Sequence, residues 1–165
     1  MLDPKGVYLY FLSIKKIATK SIRQIFFSTS FYNKLLISQN PSRFFFYPNP
    51  HLLSPLLNHK DLLLKISKFE ANYFWNNSKS DNEKKNLHSF LWLNLIDRKN
   101  EKETIEKIVS DWIKKYGNYK KDIWNENLLS KRTIAWISNA DIILANKEDK
   151  FQKLFFSSLL KQINF

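Results

Sequence analysis

Residues 86–97 read NLHSFLWLNLID and open a series of apolar-periodic segments that continues to Phe165. In each segment apolar residues recur every three or four positions, which is the spacing of one buried face of an α-helix. Short polar joints separate the segments, so we predict an all-α fold built from helical hairpins. We expect Asn86 and Thr104 to cap the first two helices and Gly117 to end the second. The four predicted helices are Asn86–Asp97, Thr104–Tyr116, Leu128–Asn139 and Lys150–Phe165.

Three of these helices carry a tryptophan among their apolar residues. We expect Trp92, Trp112 and Trp136 to share one core, because each lies at helical spacing from its apolar neighbours. Asn94 falls on the same side of the first helix as two leucines, so it needs a hydrogen-bond partner if it is buried. The last helix ends without a glycine or a polar tail, and we expect its apolar side to be left partly uncovered.

Residues 1–28 are predicted to form a basic amphipathic helix. On a helical projection one face carries Lys15, Lys16, Lys20 and Arg23, and the opposite face carries Tyr10, Ile14, Ile17, Ala18 and Ile25. Two interpretations remain open. The helix either packs on the body of the protein as an ordinary surface helix, or lies on an anionic membrane surface.

The apolar run Val7–Ile14 is the one candidate for a targeting segment near the N-terminus. Lys15 and Lys16 follow it where a signal peptide would have a small-residue cleavage site. It is also much shorter than the ~20 apolar residues that span a bilayer. We therefore predict neither a signal peptide nor a transmembrane helix, which favours a cytoplasmic or membrane-peripheral location.

Residues 29–85 are predicted to be an irregular, proline-rich lead-in to the helical part. Four prolines between residues 41 and 55 impose extended or turn geometry on their neighbours. The predicted pieces are a short helix at Ser30–Ser38, extended segments at Arg43–Tyr47 and Phe69–Trp75, a helix at Asp61–Lys68 and a polar loop at Asn76–Lys85.

Composition limits the possible chemistry. The 165-residue chain has no cysteine, which excludes disulfides and thiolate catalysis, and its three scattered histidines argue against a zinc site. The formal net charge is +12, with the excess concentrated in residues 1–80. Such a balance is typical of proteins with an anionic partner, but an AT-biased coding sequence rich in lysine and asparagine codons produces the same composition.

The helical motifs together resemble the N-terminal helical region of bacterial heparinase II/III-like polysaccharide lyases. The segment before them, SFYNKLLISQNPSRFFFYPNP at residues 30–50, is similar to the lead-in of that family. The motifs that carry the resemblance are NLHSFLWLNLIDR (Asn86–Arg98), IVSDWIKKY (Ile108–Tyr116), WNENLLSKRTIAWISNA (Trp124–Ala140) and the stretch Phe151–Ile163.

The resemblance implies an incomplete α/α toroid, an acidic polysaccharide as partner and, as an alternative location, the periplasm. Enzymes of this family cleave uronate-containing chains by β-elimination, in which a base removes the proton beside a neutralised carboxylate. The family's acid, base and carboxylate-neutralising groups are expected beyond Phe165, so residues 86–165 correspond to the first hairpins of a truncated toroid. We therefore assign no catalytic residue, metal ligand or cofactor, and expect the chain alone to be inactive.

Candidate substrate-binding residues lie on or beside these motifs. Trp faces stack on sugar rings and Arg pairs with carboxylates, and Arg132, Trp136 and Asn139 share one helix face that would line a toroid's cleft. The alternative is structural: tryptophans at helical spacing are usually core residues, and Arg132 next to Lys131 is also typical of a solvated basic surface. The candidates are His88, Trp92, Arg132, Trp136 and Asn139.

The competing functional class is a non-enzymatic basic helical module. Aromatic residues alternate with Lys and Arg between Phe26 and Tyr47, a pattern that suits single-stranded nucleic acid. Acidic residues become frequent after Asp81, which interrupts a continuous basic stripe and argues against nucleic acid. An anionic membrane surface at the N-terminal helix is the other partner in this class.

Overall fold

A computed structural model describes residues 3–37, 75, 80–96, 102–145 and 149–165. All regular structure in these residues is helical, which confirms the all-α prediction, whereas the toroid architecture stays a prediction. The predicted pieces Arg43–Tyr47 and Asp61–Lys68 lie outside the described residues. The helices are α1 (Pro4–Ser28), α2 (Ser30–Leu35), α3 (Asp81–Ser89), a 3₁₀ helix (Leu91–Leu95), α4 (Lys102–Tyr116), α5 (Glu126–Ser138), α6 (Ala140–Ile143) and α7 (Asp149–Ile163).

Side-chain caps define the start of the N-terminal helices. Asp3 caps α1 by accepting from the backbone N–H of Lys5 at 3.2 Å, and Thr29 caps α2 by accepting from that of Tyr32. The predicted helix at 30–38 is therefore present, but it ends at Leu35. Of the predicted extended segment 69–75 only Trp75 is described, and its backbone is helical.

The predicted helix 86–97 is wrong as a single element. A capping box starts α3 at Asp81, because the Ser80 hydroxyl accepts from the Glu83 N–H and the Glu83 carboxylate accepts from the Ser80 N–H at 2.8 Å. Residues 81–85 are thus helical instead of belonging to a polar loop. Phe90 then ends α3 in the left-handed region, with φ of 59°, and the chain continues as the 3₁₀ helix.

The remaining helices start slightly earlier than predicted. α4 begins two residues before Thr104, and α5 begins at Glu126 because Asn125 caps it by accepting from the Leu128 N–H at 3.0 Å. The end of α4 agrees with the prediction. A Cβ on Gly117 would lie 2.3 Å from the carbonyl oxygen of Ile113, so the close return of the chain there requires glycine. The short helix α6 was not predicted.

The three tryptophans share one core, as predicted. Trp92, Trp112 and Trp136 have no exposed surface, and the ring of Phe90 lies 5.5, 5.8 and 5.4 Å from theirs, respectively. The Trp112 and Trp136 rings also meet edge to face at 5.3 Å. The helices of this core therefore pack through aromatic contacts that converge on Phe90.

Most of the exposed large apolar side chains among the described residues lie on α1, and only two lie on α7. The prediction that the apolar side of the last helix is partly uncovered holds for Leu154 and Ile163. It is wrong for Phe151, Phe155 and Leu159, which are buried against the core. On α1 every side chain from residue 8 to residue 23 is exposed. Among the helices that the structure describes, none is both long and apolar enough to cross a membrane.

The left-handed backbone at Phe90 can be tested by substitution. We expect Phe90→Ala to lower the free energy of unfolding by about 3–5 kcal/mol, because it empties a fully buried aromatic site. Phe90→Gly removes the same ring but accepts positive φ without strain, so it should be about 1 kcal/mol more stable than Phe90→Ala. Urea unfolding followed by tryptophan fluorescence measures both values.

Ile134 supplies the control, because it is an exposed residue inside α5 with ordinary helical backbone. There the order should reverse, and Ile134→Gly should be about 1 kcal/mol less stable than Ile134→Ala. A Phe90→Gly variant that is no more stable than Phe90→Ala would contradict the proposed strain.

Candidate functional site

A cleft of about 730 Å³ opens along α3, which lines it from Asp81 to His88. Its wall is aromatic, since Trp75, His88 and Tyr116 lie against one another, and its rim carries exposed lysines. The loop between α4 and α5 also lines the cleft. The residues that line the cleft include Trp75, Asp81, Lys84, Lys85, Leu87, His88, Tyr116, Lys121, Asp122, Ile123, Asn125 and Leu128.

His88 is held in one tautomer by the core. The indole N–H of Trp112 donates to Nδ1 of His88 at 3.0 Å, and an indole nitrogen is only a donor. Nδ1 is therefore the unprotonated nitrogen, and the ring proton of neutral His88 is on Nε2. Trp75 stacks on the imidazole at 5.3 Å between ring centroids, and Tyr116 meets it edge-on at 4.9 Å. The ring is thus oriented on two sides and retains one N–H for a ligand.

Burial and nearby cations keep His88 neutral. Desolvation lowers its pKa to about 4, and the positive charges of Arg132 and Lys120 act in the same direction. At neutral pH the side chain is therefore a neutral hydrogen-bond donor through Nε2.

Arg132 lies fully buried behind this wall, so the alternative interpretation, in which it belongs to a solvated basic surface, is wrong. Its guanidinium carbon is 4.3 Å from the centre of the Trp112 ring, in a cation–π contact. Nη1 donates to the carbonyl oxygens of His88 and Ile123, and Nε donates to the side-chain oxygen of Gln162. These acceptors are neutral, and burial lowers the pKa of Arg132 to about 9.

Arg132 consequently connects four parts of the fold. It extends from α5 to the end of α3, to the loop before α5 and to α7. Nη2 has no hydrogen-bond acceptor among the described residues. Because two of its acceptors belong to cleft-lining residues, the guanidinium places a positive charge directly behind the cleft wall.

The other predicted site residues are in the core. Asn139 is fully buried and donates to Oδ1 of Asn94 at 3.1 Å, which supplies the partner that Asn94 was expected to need. Trp92 donates to the carbonyl oxygen of Leu87 at 3.0 Å, and Trp136 stacks on Phe155. The face formed by Arg132, Trp136 and Asn139 therefore points into the helix packing, and the expectation that it lines an open cleft is wrong for the described structure.

Of the five candidates, His88 is the one found among the cleft-lining residues. Lys84 and Lys85 were missed because the start of α3 was placed too late. The capping-box pattern at Ser80 and Glu83 would have put both lysines on the same side of a helix as His88. Tyr116, Trp75 and Lys121 had no local signal, since long-range packing alone brings them together.

Metal binding has no support in the part of the chain that the structure describes, where no three His, Cys, Asp or Glu side chains are grouped as ligands. Comparison with protein-family models, curated proteins and solved structures finds no significant match to this chain. The resemblance to heparinase II/III-like lyases therefore stays a prediction that depends on the sequence motifs.

The lowered pKa of His88 predicts an acid-sensitive fold. The His88 side chain binds a proton near pH 6.5 in the unfolded chain and near pH 4 in the folded chain. The stability that depends on neutral His88 is therefore present above pH 6.5 and is lost as the pH falls towards 4. Between pH 7 and pH 4 the loss from this group should be about 3 kcal/mol. His88→Asn keeps an acceptor for the Trp112 N–H but cannot titrate.

The test compares urea unfolding of the parent protein and of His88→Asn at several pH values. The comparison is needed because the acidic residues titrate in both proteins. The difference in unfolding free energy between them should shrink as the pH falls. A difference that does not change between pH 7 and pH 4 would contradict the assignment of a buried neutral His88.

Proposed function

We propose that the cleft at His88 binds an acidic carbohydrate, and that this chain supplies substrate-binding helices of a heparinase II/III-like lyase. The observation that carries the proposal is the state of His88. It is neutral, fixed through Nδ1 by Trp112, and surrounded by aromatic rings with lysines at the rim. A neutral N–H donor of this kind suits a sugar hydroxyl or carboxylate oxygen.

The dimensions and lining of the cleft support a sugar ligand. Its volume of about 730 Å³ lies within the range of small-ligand sites, roughly 300–1,000 Å³. Aromatic rings contact the apolar faces of sugars, and Trp75 and Tyr116 supply such surfaces on the wall. Asn125 also lines the cleft, where its side-chain amide is held by the cap of α5 and by the carbonyl oxygen of Asp122.

The charge of the rim supports an acidic ligand over a neutral one. The cleft lining has three lysines, Lys84, Lys85 and Lys121, and two carboxylates, those of Asp81 and Asp122. The Asp81 carboxylate already lies 3.9 Å from Nζ of Lys84, so the unbalanced charge is positive. Arg132 adds a further cation behind the wall. Ammonium groups that pair with a carboxylate form charge-assisted hydrogen bonds, which are the stronger class.

Binding can be measured with a short glucuronate-containing oligosaccharide by isothermal titration calorimetry. We expect Lys84→Gln/Lys85→Gln/Lys121→Gln to weaken binding by at least about tenfold, because it removes the charge-assisted contacts of the rim, each worth about 1.5–3 kcal/mol. His88→Asn should weaken binding as well, since it removes the Nε2 donor and keeps the acceptor for Trp112.

The matched control is Lys102→Gln/Lys107→Gln/Lys114→Gln on the exposed side of α4, which changes the net charge by the same amount. It should leave binding unchanged, and a neutral glucose oligosaccharide of the same length should bind weakly to all the proteins. Equal losses in the two lysine triples would show nonspecific attraction and overturn the proposed site.

The chain alone is expected to bind without cleaving. A base with a pKa near 4 is weak at neutral pH, and Nδ1 of His88 is already engaged by Trp112. Incubation with heparan-like and alginate-like polymers should therefore produce no rise in the ultraviolet absorbance of unsaturated uronate. Turnover that disappears in His88→Asn would refute this expectation and place the chemistry within this chain.

A further inference from the structure

The helix α1 has an unusual degree of exposure for its apolar content. Its 25 residues run from Pro4 to Ser28, and about two thirds of the side-chain surface of Leu9, Phe11, Ile17 and Ile25 is exposed. The other apolar side chains with at least two fifths of their surface exposed on this helix are Tyr8, Tyr10, Leu12, Ile14, Ile22 and Phe26. A packed surface helix buries its apolar side, so this one is not an ordinary surface helix.

The body of the protein holds α1 at its C-terminal end. The Phe27 ring packs against the rings of Tyr119 at 5.5 Å and Phe165 at 5.0 Å, and Tyr32 of α2 stacks on it at 4.7 Å. Arg23 lies over the same ring. The preceding turns, in which residues 8–23 are all exposed, therefore extend away from this anchor.

The charges of α1 and α2 have one sign. Between Pro4 and Ile37 the sequence has no Asp or Glu, while the cations are Lys5, Lys15, Lys16, Lys20, Arg23 and Lys34. At 100° per residue Lys16, Lys20 and Arg23 project from one side of α1, and an apolar stripe projects from the other. The placement of Lys15 with these cations is wrong, because it lies at the edge of the apolar stripe beside Ile22. The stripe consists of Val7, Phe11, Ile14, Ala18, Ile22 and Ile25.

We propose that α1 is a membrane-surface helix that docks the protein on an anionic lipid bilayer. This proposal is independent of the carbohydrate cleft. An anionic bilayer is the partner that satisfies both sides of the helix, because its acyl region accepts the apolar stripe and its headgroups attract the cations. Nucleic acid would pair with the lysines and leave the stripe in water. A second copy of the chain would cover the stripe and bring like charges together.

The N-terminal turns of α1 fit the depth profile of a membrane interface. Residues 7–12, VYLYFL, are apolar on every side of the helix, which favours deeper insertion there than along the lysine-bearing turns. Tyr8 and Tyr10 combine a ring with a hydroxyl, the chemistry of side chains at the headgroup level.

Vesicle cosedimentation of the full chain tests the proposal. The vesicles are phosphatidylcholine alone and phosphatidylcholine with about 30% phosphatidylserine, so that only the surface charge differs. We expect binding to the anionic vesicles to be at least about tenfold tighter and to weaken as salt is raised. Equal binding to both vesicles, or to neither, would overturn the proposal.

Two variants separate the contributions of the two faces. Lys5→Gln/Lys16→Gln/Lys20→Gln, which changes three exposed lysines of the charged side, should lower the affinity for anionic vesicles by at least about tenfold, because each cation near the surface contributes. Ile14→Ser/Ile22→Ser should lower it comparably, because the apolar stripe is lost. These side chains are exposed, so the fold is retained, and circular dichroism verifies this. The control Lys102→Gln/Lys107→Gln/Lys114→Gln has the charge of the first variant and should bind as the parent protein does.

Other partners give different results in the same set of proteins. A dimer in vesicle-free solution that Ile14→Ser/Ile22→Ser dissociates would assign the stripe to a second copy and overturn the membrane proposal. Salt-sensitive retention on single-stranded RNA, lost in Lys5→Gln/Lys16→Gln/Lys20→Gln while vesicle binding is absent, would overturn it in favour of nucleic acid. The uronate affinity should be unchanged in both α1 variants, which separates this proposal from that of the cleft.

Discussion

A left-handed residue, Phe90, joins α3 to the 3₁₀ helix, and the helical core is arranged around its ring. Such a backbone costs about 1–3 kcal/mol for a residue with a Cβ. The Phe90 ring meets Trp75, Trp92, Trp112 and Trp136, and four aromatic pairs together contribute about 2–6 kcal/mol beyond simple burial. The packing of the cluster therefore outweighs the strain of the turn, and the turn exists because the ring is buried.

This turn also couples the core to the cleft. His88 lies two residues before Phe90, on the last turn of α3, and Trp112 of the core fixes its tautomer. Arg132 lies over the face of the same indole and donates to the His88 carbonyl. The imidazole that lines the cleft is thus oriented by residues that have no exposed surface. Changes at Trp112 or Arg132 affect stability and the cleft together.

The two surfaces proposed for binding use positive charge in different ways. At the cleft the lysines lie around a concave aromatic wall. Desolvation and the charge of Arg132 keep His88 neutral there. On α1 the cations lie along one side of a convex, nearly isolated helix whose other side is apolar. A concave site suits a ligand of defined shape, whereas a convex amphipathic helix suits an extended interface.

Local patterns in the sequence determined the all-α class, the presence of the main helices, the shared tryptophan core and the amphipathic character of α1. These follow from apolar spacing and short-range hydrogen bonds, which act within a few residues. The earlier start of α3 was also readable, because the Ser80 and Glu83 capping box is a local signal. The left-handed turn at Phe90 was not readable from the sequence, since no glycine marks it.

Tertiary structure alone decided the burial of Arg132, whose acceptors lie 9, 30 and 44 residues away in the sequence. It likewise decided that Trp75, His88 and Tyr116 meet and that residues 8–23 of α1 are exposed in the described part of the chain, because periodicity shows which face is apolar but not what packs against it.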